Sequence, residues 1–328
     1  MAMRTMLSDN NPREDSPTMQ ITMISNPRSG RGNARRATQM LQDELALRGH
    51  TVHAFETGYE SGSLLDQITN SDRVVIIGGD GTVHHLLPIL TQTQTPIYHL
   101  GTGTANLICK EFGMSQDPIL VAGHLELEIE PTVVDVPSCN GVPFLIMVSL
   151  GIDASVIHRF EESRKHKGGY RAYIQPILRE LISPRHAQFQ VEFLGTSEQP
   201  PYQETGNLII ANLRSYGGRL NPCPNANCND GLIDLVSIPC QSSVKSALNN
   251  ALFRIGKTPR KCKRDTATSI TITTTQGSAF VQIDGEKASR IPGLSDGRLE
   301  QGQHIHIEMC SQYLHLLAPK PRYPERQP

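Results

Sequence analysis

Four consecutive β-branched residues, Val74-Val75-Ile76-Ile77, run directly into the sequence Gly78-Gly79-Asp80-Gly81-Thr82. A continuous run of this kind is typical of a strand buried on both faces in a parallel sheet. The next residues, Val83–Leu90, fit a helix. Glycines at a strand-to-helix turn let the backbone approach a ligand, and the free amides there can bind phosphate oxygens. The segment predicts nucleotide binding, although Gly-Asp-Gly by itself would favour a tight turn capped by Asp80.

The chain up to about residue 130 alternates between strand and helix patterns, which favours an open, mostly parallel α/β sheet. The predicted strands are Gln20–Ser25, Thr51–Phe55, Arg73–Ile77 and Pro96–Leu100. Two more helices are predicted at Asn33–Arg48 and Asn106–Phe112. Gly49 stands where a helix C-terminus favours a left-handed residue.

After Pro131 short strands dominate, which predicts a mainly antiparallel second domain, a β-sandwich. Asn140-Gly141 predicts a hairpin turn between strands Val133–Val136 and Phe144–Leu150. Only Tyr170–Ile182 and Val244–Ile255 look helical here. The remaining predicted strands are Gln188–Leu194, Asn207–Asn212, Leu232–Ile238, Ser269–Thr274, Ala279–Ile283 and His304–Met309.

Charge, hydropathy and cysteine content exclude several classes of protein. A formal net charge of −1 gives no general attraction to nucleic acid. No run approaches the ~20 apolar residues that span a bilayer, and the acidic first eighteen residues do not form a secretory signal. Seven scattered cysteines predict neither a disulfide framework nor a zinc site. A cytoplasmic protein is expected.

Two more glycine-containing loops follow predicted strands of the first domain. One is Asn26-Pro27-Arg28-Ser29-Gly30 and the other is Gly101-Thr102-Gly103-Thr104-Ala105-Asn106. The carboxyl ends of parallel strands share one sheet edge, where open α/β sheets bind ligands. We therefore expect the three loops to meet there.

These loops, taken in order, resemble the diacylglycerol kinase catalytic domain, which sphingosine, ceramide and bacterial lipid kinases share. The resemblance extends from about residue 20 to residue 318 through four later segments, which are Gly151-Ile152-Asp153-Ala154, Tyr216-Gly217-Gly218, Asp230-Gly231-Leu232-Ile233-Asp234 and Asp284-Gly285-Glu286. It implies a lipid kinase that transfers the γ-phosphate of ATP, with Mg²⁺, to a lipid hydroxyl. Diacylglycerol is the favoured acceptor, and a sphingosine-like lipid or phosphatidylglycerol is the alternative.

The sequence pattern and the resemblance together predict the domain organisation. Residues 1–18 would form a disordered tail, 19–132 the α/β ATP-binding domain, 133–305 the β-sandwich lipid-substrate domain and 319–328 a frayed tail. A final strand at about 306–318 would return to the first domain.

Carried over position by position, the resemblance places the proton acceptor at Glu286, with Asp80 and Asp284 as further catalytic acids. In an extended segment Asp284 and Glu286 would face the same way, and paired acids can raise one pKa. An Asp-Gly turn with a solvated Glu286 is the alternative interpretation. The implied ATP contacts are Asn26, Pro27, Arg28, Ser29, Gly30, Thr57, Gly78, Gly79, Asp80, Gly81, Thr82, Val83, His84 and Thr104.

The same resemblance places Mg²⁺ on the backbone oxygens of Asn227 and Leu232 and the carboxylate of Asp230, oxygen ligands that suit a hard cation. A plain turn held by Asp230 fits equally well. Asp153 is expected near the acceptor lipid, or else as a buried structural acid. Two positions depart from the family, because Pro is common where Gly101 stands and Asp where Leu107 stands.

Two cationic runs predict peripheral contact with an anionic membrane, which would bring the enzyme to its lipid. They are Arg159, Arg164, Lys165 and Lys167, and Arg254, Lys257, Arg260, Lys261, Lys263 and Arg264. Solvated charged loops are the alternative interpretation. NAD kinase and a non-catalytic lipid- or nucleotide-sensing module remain alternatives for the function, and a homodimer remains open.

Overall fold

A computed structural model describes the chain over residues 17–58, 61–163, 187–195, 200–217, 222–239 and 262–319. Several predictions fall outside these residues: the helices Tyr170–Ile182 and Val244–Ile255, most of both tails, and the cations Arg164, Lys165, Lys167, Arg254, Lys257, Arg260 and Lys261.

The first sheet contains, among the described residues, the strands β1 (Gln20–Ser25), β2 (Thr51–Glu56), β3 (Arg73–Gly78), β4 (Ile97–Gly101), β5 (Thr132–Asp135) and β18 (Tyr313–Leu316). Their order is β2-β1-β3-β4-β18-β5. The pairs from β2 to β18 are parallel, and β5 pairs with β18 antiparallel. All four residues Val74–Ile77 are fully buried, which confirms the prediction from their continuous apolar run.

Helices connect the strands of this sheet: α1 (Asn33–Leu47), α2 (Ser61–Thr69), α3 (Asp80–Leu90), α4 (Leu107–Phe112) and α5 (Pro118–Leu125). Helix α1 buries Leu41 and Leu45, one turn apart, against the sheet. It ends before Gly49, whose φ of 83° confirms the left-handed position predicted there.

The second sheet consists of short antiparallel strands in the rest of the described chain. They are β6 (Ser138–Cys139), β7 (Val142–Pro143), β8 (Met147–Leu150), β9 (Gln188–Leu194), β10 (Tyr202–Ala211), β11 (Ile233–Pro239), β12 (Lys263–Ala267), β13 (Ser269–Gln276), β14 (Ala279–Ile283), β15 (Glu286–Lys287), β16 (Arg298–Leu299) and β17 (His304–Glu308).

The main path across this sheet is β15-β14-β8-β10-β9-β13-β17-β6-β7, with β11, β12 and β16 at its sides. Residues far apart on this path, such as Val191 in β9 and Val281 in β14, share one hydrophobic core. The sheet therefore curls over itself like a sandwich, and the predicted fold class is confirmed. Helix α6 (Ile152–Ser163), which the sequence did not predict, packs against β14.

The hairpin turn at Asn140-Gly141 is confirmed, with φ values of 46° and 80°, but the strands predicted to flank it are wrong. The turn joins the short strands β6 and β7. Residues 133–135 lie in β5 and pair with β18 in the first sheet, whereas Met147–Leu150 pairs with β10 and β14. A two-residue turn fixes only the residues beside it, and the partners of strands farther away depend on long-range burial.

Within the described residues, no helix is long and apolar enough to cross a membrane.

Candidate active site

The three glycine-containing loops meet at the carboxyl edge of the first sheet, as predicted. Asn26 Nδ2 donates to Thr82 Oγ1 at 3.3 Å, and Thr102 Oγ1 donates to Ser29 Oγ at 3.1 Å. The Thr102 amide also donates to Gly78 O at 2.7 Å. Each loop therefore contacts another loop directly.

Glycine is required where these loops touch, because their backbones are in contact. A Cβ atom on Gly103 would lie 2.7 Å from the Cα of Gly79. On Gly30, whose φ is 60°, it would lie 2.1 Å from Thr102 O. Such packing leaves no room for a side chain at Gly30 or Gly103 and brings backbone groups close together, as in phosphate-binding loops.

Asp80 binds the start of helix α4. Its Oδ2 accepts the Leu107 amide at 2.9 Å and its Oδ1 accepts the Ile108 amide at 3.1 Å. The residue before the helix, Asn106, makes no side-chain cap and has a φ of 48°. Asp80 thus caps α4 from another loop, and position 107 contributes to this contact through its backbone.

The other residues predicted to contact ATP are not equally accessible. Arg28 and Thr104 are exposed, and Thr57 directly follows β2, where its amide donates to Ser25 O at 2.8 Å. Val83 is buried in the hydrophobic core of the first domain, so its side chain cannot reach a nucleotide at the carboxyl edge of the first sheet. His84 is also buried, and it faces the second domain.

Asp284 and Gly285 form the two-residue turn of the β14–β15 hairpin. Their φ values are 51° and 82°, and Ile283 pairs with Glu286 across the turn. The predicted extended segment, with both carboxylates on one side, is therefore wrong. A Gly-containing pair with positive φ at both central positions favours a tight turn instead of a strand.

The Asp284 carboxylate is buried and accepts four hydrogen bonds. Leu145 N donates to Oδ2 at 2.9 Å, and Ile146 N and Met147 N donate to Oδ1 at 2.7 and 3.0 Å. His84 Nδ1 lies 3.0 Å from Oδ2. Asp284 thus joins the turn to the segment before β8 and to helix α3 of the first domain.

Glu286 lies against the glycine-rich turn. A Cβ atom on Gly81 would be 2.2 Å from Glu286 Oε1, so the carboxylate occupies the space beside that glycine. Unlike Asp284, Glu286 is partly exposed. The second domain therefore places a carboxylate next to the turn that follows β3.

A pocket of about 160 Å³ opens beside Glu286. Val142, Ile283 and Ile291 give it an apolar wall. Arg290 also lines it, with its Nη1 donating to His85 Nδ1 at 3.3 Å. The pocket lining thus combines apolar side chains with a cation and a carboxylate.

Asp153 lies on α6 in a polar network behind this hairpin. Ser149 Oγ donates to its Oδ2, and Tyr216 also hydrogen-bonds its side chain. Burial raises the pKa of Asp153, and these hydrogen bonds partly oppose the rise. Gln282 donates to Ser149 and accepts the Gly285 amide at 2.7 Å. The network connects Asp153 to the Asp284-Gly285 turn.

The predicted magnesium residues lie in the loop before β11. Asp230 Oδ1 accepts the Leu232 amide at 3.0 Å. Asn227 Oδ1 is buried and has no hydrogen-bond partner among the described residues. Burial, together with the nearby charge of Asp230, raises the pKa of Asp234 to about 6. A buried oxygen in an acidic loop suits a cation. The oxygen without a partner is, however, the side-chain Oδ1 of Asn227, whereas the prediction was its backbone carbonyl oxygen.

Two contacts at this site were not predicted. They are two hydrogen bonds, one between His84 and Asp284 and the other between Arg290 and His85. Both join residues about 200 positions apart, and no local pattern in the sequence signals such a pair.

Comparison with known proteins identifies two matching domain families. The model of the diacylglycerol kinase catalytic domain matches residues 20–138, and that of the YegS C-terminal NAD kinase beta sandwich-like domain matches residues 146–306. The first match contains all three glycine-containing loops, and the second contains Glu286.

The chain is also similar to curated proteins over much of its length. It is 31% identical to a diacylglycerol kinase of Mycobacterium tuberculosis over 237 residues, which are 69% of this chain and 75% of that protein. It is 31% identical to a protein of Pseudomonas savastanoi pv. phaseolicola named as a YegS-like lipid kinase, over 55% of this chain and 58% of that protein.

Two crystal structures from Bacillus anthracis strain Sterne, both described as diacylglycerol kinases, have the same fold. Their TM-scores are 0.68 and 0.63, with 21% and 18% sequence identity. They cover 93% and 92% of this chain, and this chain covers 97% and 98% of theirs.

Proposed function

Because this chain belongs to the diacylglycerol kinase family, we propose that it transfers the γ-phosphate of ATP to a lipid hydroxyl. Diacylglycerol, which would give phosphatidic acid, is the acceptor to test first. One observation carries the proposal: Glu286, from the second domain, lies against Gly81 in the phosphate-binding turn of the first. In the proposed reaction, the base and the phosphate site would thereby be in contact across the two domains.

In the proposed reaction, Glu286 accepts the proton of the lipid hydroxyl while that oxygen attacks the γ-phosphorus. The new P–O bond forms as the bond to the β–γ bridging oxygen breaks, ADP leaves, and the proton passes from Glu286 to water. Transfer of this kind depends on positioning and electrostatics, without a covalent enzyme intermediate. The glycine-containing loops would hold the triphosphate in line, and the pocket beside Glu286 would admit the acceptor.

Magnesium would have two places in this scheme. With the nucleotide, near Asp80, it would neutralise phosphate charge. In the loop before β11, Asn227, Asp230 and Leu232 would hold a second cation. The buried, unpartnered Asn227 Oδ1 supports that second place.

The test uses purified protein, labelled ATP, Mg²⁺ and a panel of acceptors in mixed micelles, with the products identified. Separate reactions each contain one acceptor: diacylglycerol, a sphingosine-like lipid, phosphatidylglycerol or NAD. We expect one lipid to be phosphorylated, and Glu286→Gln to lose ~10²–10⁴-fold in kcat, the usual contribution of a general base. Phosphorylation of NAD alone would instead assign an NAD kinase. Tight ATP or lipid binding without turnover in any of these reactions would indicate a sensing module.

A further inference from the structure

Helix α3 contacts the β14–β15 hairpin at two points one turn apart. Gly81 touches Glu286, and His84 bonds to Asp284. Positions i and i+3 lie on one face of a helix, so both contacts are made by the same face. On the hairpin, the two partners are separated by a single glycine. The position of one carboxylate is therefore tied to that of the other.

The bonds of Asp284 make it unsuited to accept a proton from a substrate. Its side chain is 1% exposed, and each oxygen already accepts two hydrogen bonds. A lipid hydroxyl could approach it only if the segment before β8 moved away. A carboxylate in this setting fixes backbone position, since a buried donor left without its acceptor costs free energy.

We infer that His84 and Asp284 are a positioning pair that holds the hairpin on α3, so that Glu286 is placed against the phosphate-binding turn. This inference rests on the proposed function. It means that a residue of the first domain, His84, fixes the position of the base, Glu286, which the second domain supplies. The inference gives neither residue a part in proton or phosphoryl transfer, although His84 also lines the pocket beside Glu286. A displacement of about 1 Å at a catalytic group can cost ~10²-fold in rate, so loss of the pair lowers kcat.

Because the hydrogen bond to Asp284 involves Nδ1 of His84 and not Nε2, a matched pair of variants can test it. Because both Asp284 oxygens accept backbone amides, Nδ1 of His84 must be the donor. An asparagine amide can occupy the position of Nδ1, whereas a glutamine amide matches Nε2 and lies one bond farther out. His84→Asn therefore keeps the contact, and His84→Gln loses it. The exposed His304 in β17 gives the control pair His304→Asn and His304→Gln.

The experiment measures kcat, the KM for ATP and the pH profile of kcat for the parent protein and its four histidine variants, and the pH profile also for Asp284→Asn and Glu286→Gln. We expect kcat of His84→Asn to stay within ~3-fold of the parent protein and that of His84→Gln to fall ~10²-fold. The KM for ATP and the acidic limb of the profile, which reports Glu286, should not change. Equal activity of the two His84 variants would overturn the inference. So would an acidic limb that disappears in Asp284→Asn but persists in Glu286→Gln.

Spectroscopy separates a failure of this inference from a failure of the proposed function. If no acceptor is phosphorylated by the parent protein, the proposed function fails, yet the pair can still be examined. The ¹³C-carboxyl resonance of Glu286, assigned by its loss in Glu286→Gln, should shift in His84→Gln and remain in place in His84→Asn. An unshifted resonance in both variants would reject the positioning role without any turnover.

Discussion

The Asp80 carboxylate caps helix α4 through the Leu107 amide, at 2.9 Å, and so connects the glycine-rich turn after β3 to the loop after β4. The second oxygen accepts the next amide of the same helix. A carboxylate at a helix N-terminus is favoured by both the free amides and the helix dipole. Asp80 can therefore shape the proposed nucleotide site whether or not it also acts on Mg²⁺ or a proton.

Asp80→Asn should weaken both folding and nucleotide binding. The amide keeps one acceptor oxygen and turns an NH₂ group toward a backbone N–H, which costs about 1–3 kcal/mol. As the loop after β4 loosens, we expect the KM for ATP to rise roughly tenfold, equivalent to about 1.4 kcal/mol. Urea unfolding and steady-state kinetics measure the two effects. The control is Asp117→Asn, which alters a similar cap on α5, where Asp117 accepts Ile119 N at 3.0 Å. A KM that rises equally in both variants would refute the local explanation.

Gly81→Ala should separate activity from stability. Gly81 lies inside α3 without a positive φ, so alanine suits the backbone and can stabilise the helix by up to about 1 kcal/mol. Its Cβ, however, would overlap Glu286 Oε1 and push the carboxylate away. We expect kcat to fall ~10²-fold while the unfolding midpoint is unchanged or higher. Gly123→Ala in α5 meets no atom closer than 4.0 Å and should keep full activity. A fully active Gly81→Ala protein would show that Glu286 does not act as the base from its position beside Gly81.

The accuracy of sequence prediction differed between local and long-range features. The buried strand β3 and the three loops follow from a local apolar run and from glycines beside it. The geometry of Asp284 does not, because the donors to its carboxylate come from residues 137 to 200 positions away. Without these partners, Asp284-Gly285-Glu286 reads equally well as an extended segment or a turn. The same limit explains why β5 was assigned the wrong partner.

Asp153 predicts a specific pH dependence of stability. Its folded-state pKa is raised, mainly by burial, so the native state binds its proton more tightly than the unfolded chain does. This contribution to stability is present at low pH and is lost as pH rises from the ordinary aspartate value through the raised pKa. Asp153→Asn removes it. In urea unfolding from pH 4 to 7, the parent protein should lose stability relative to the variant. A constant difference between them across this range would contradict the raised pKa.

Magnesium should stabilise the fold through Asp230 without any need for turnover. A cation that binds only the native state raises stability by about RT ln(1 + [Mg²⁺]/Kd), or about 2.7 kcal/mol at a hundredfold excess over Kd. We expect Mg²⁺ to raise the melting temperature of the nucleotide-free protein and to have little effect on Asp230→Ala. Asp43→Asn, on the exposed side of α1, should respond like the parent protein. An equal response of Asp230→Ala would place the cation elsewhere.

Lys263 and Arg264 begin β12 on the exposed side of the second domain, where they would face an anionic membrane. Lys263 Nζ lies 4.0 Å above the Tyr202 ring, and Arg264 donates to Pro222 O, so both side chains have defined directions. Each cation near an anionic surface contributes about 1 kcal/mol. Replacing them with glutamine, together with Arg260 and Lys261, should therefore weaken co-sedimentation with anionic vesicles in proportion to the charges removed. Binding to neutral vesicles should not change, and added salt should reduce the difference between parent and variant. Equal binding of parent and variant to anionic vesicles at low salt would rule out this surface as the docking site. The cationic run that begins at Arg159 would then be the remaining candidate.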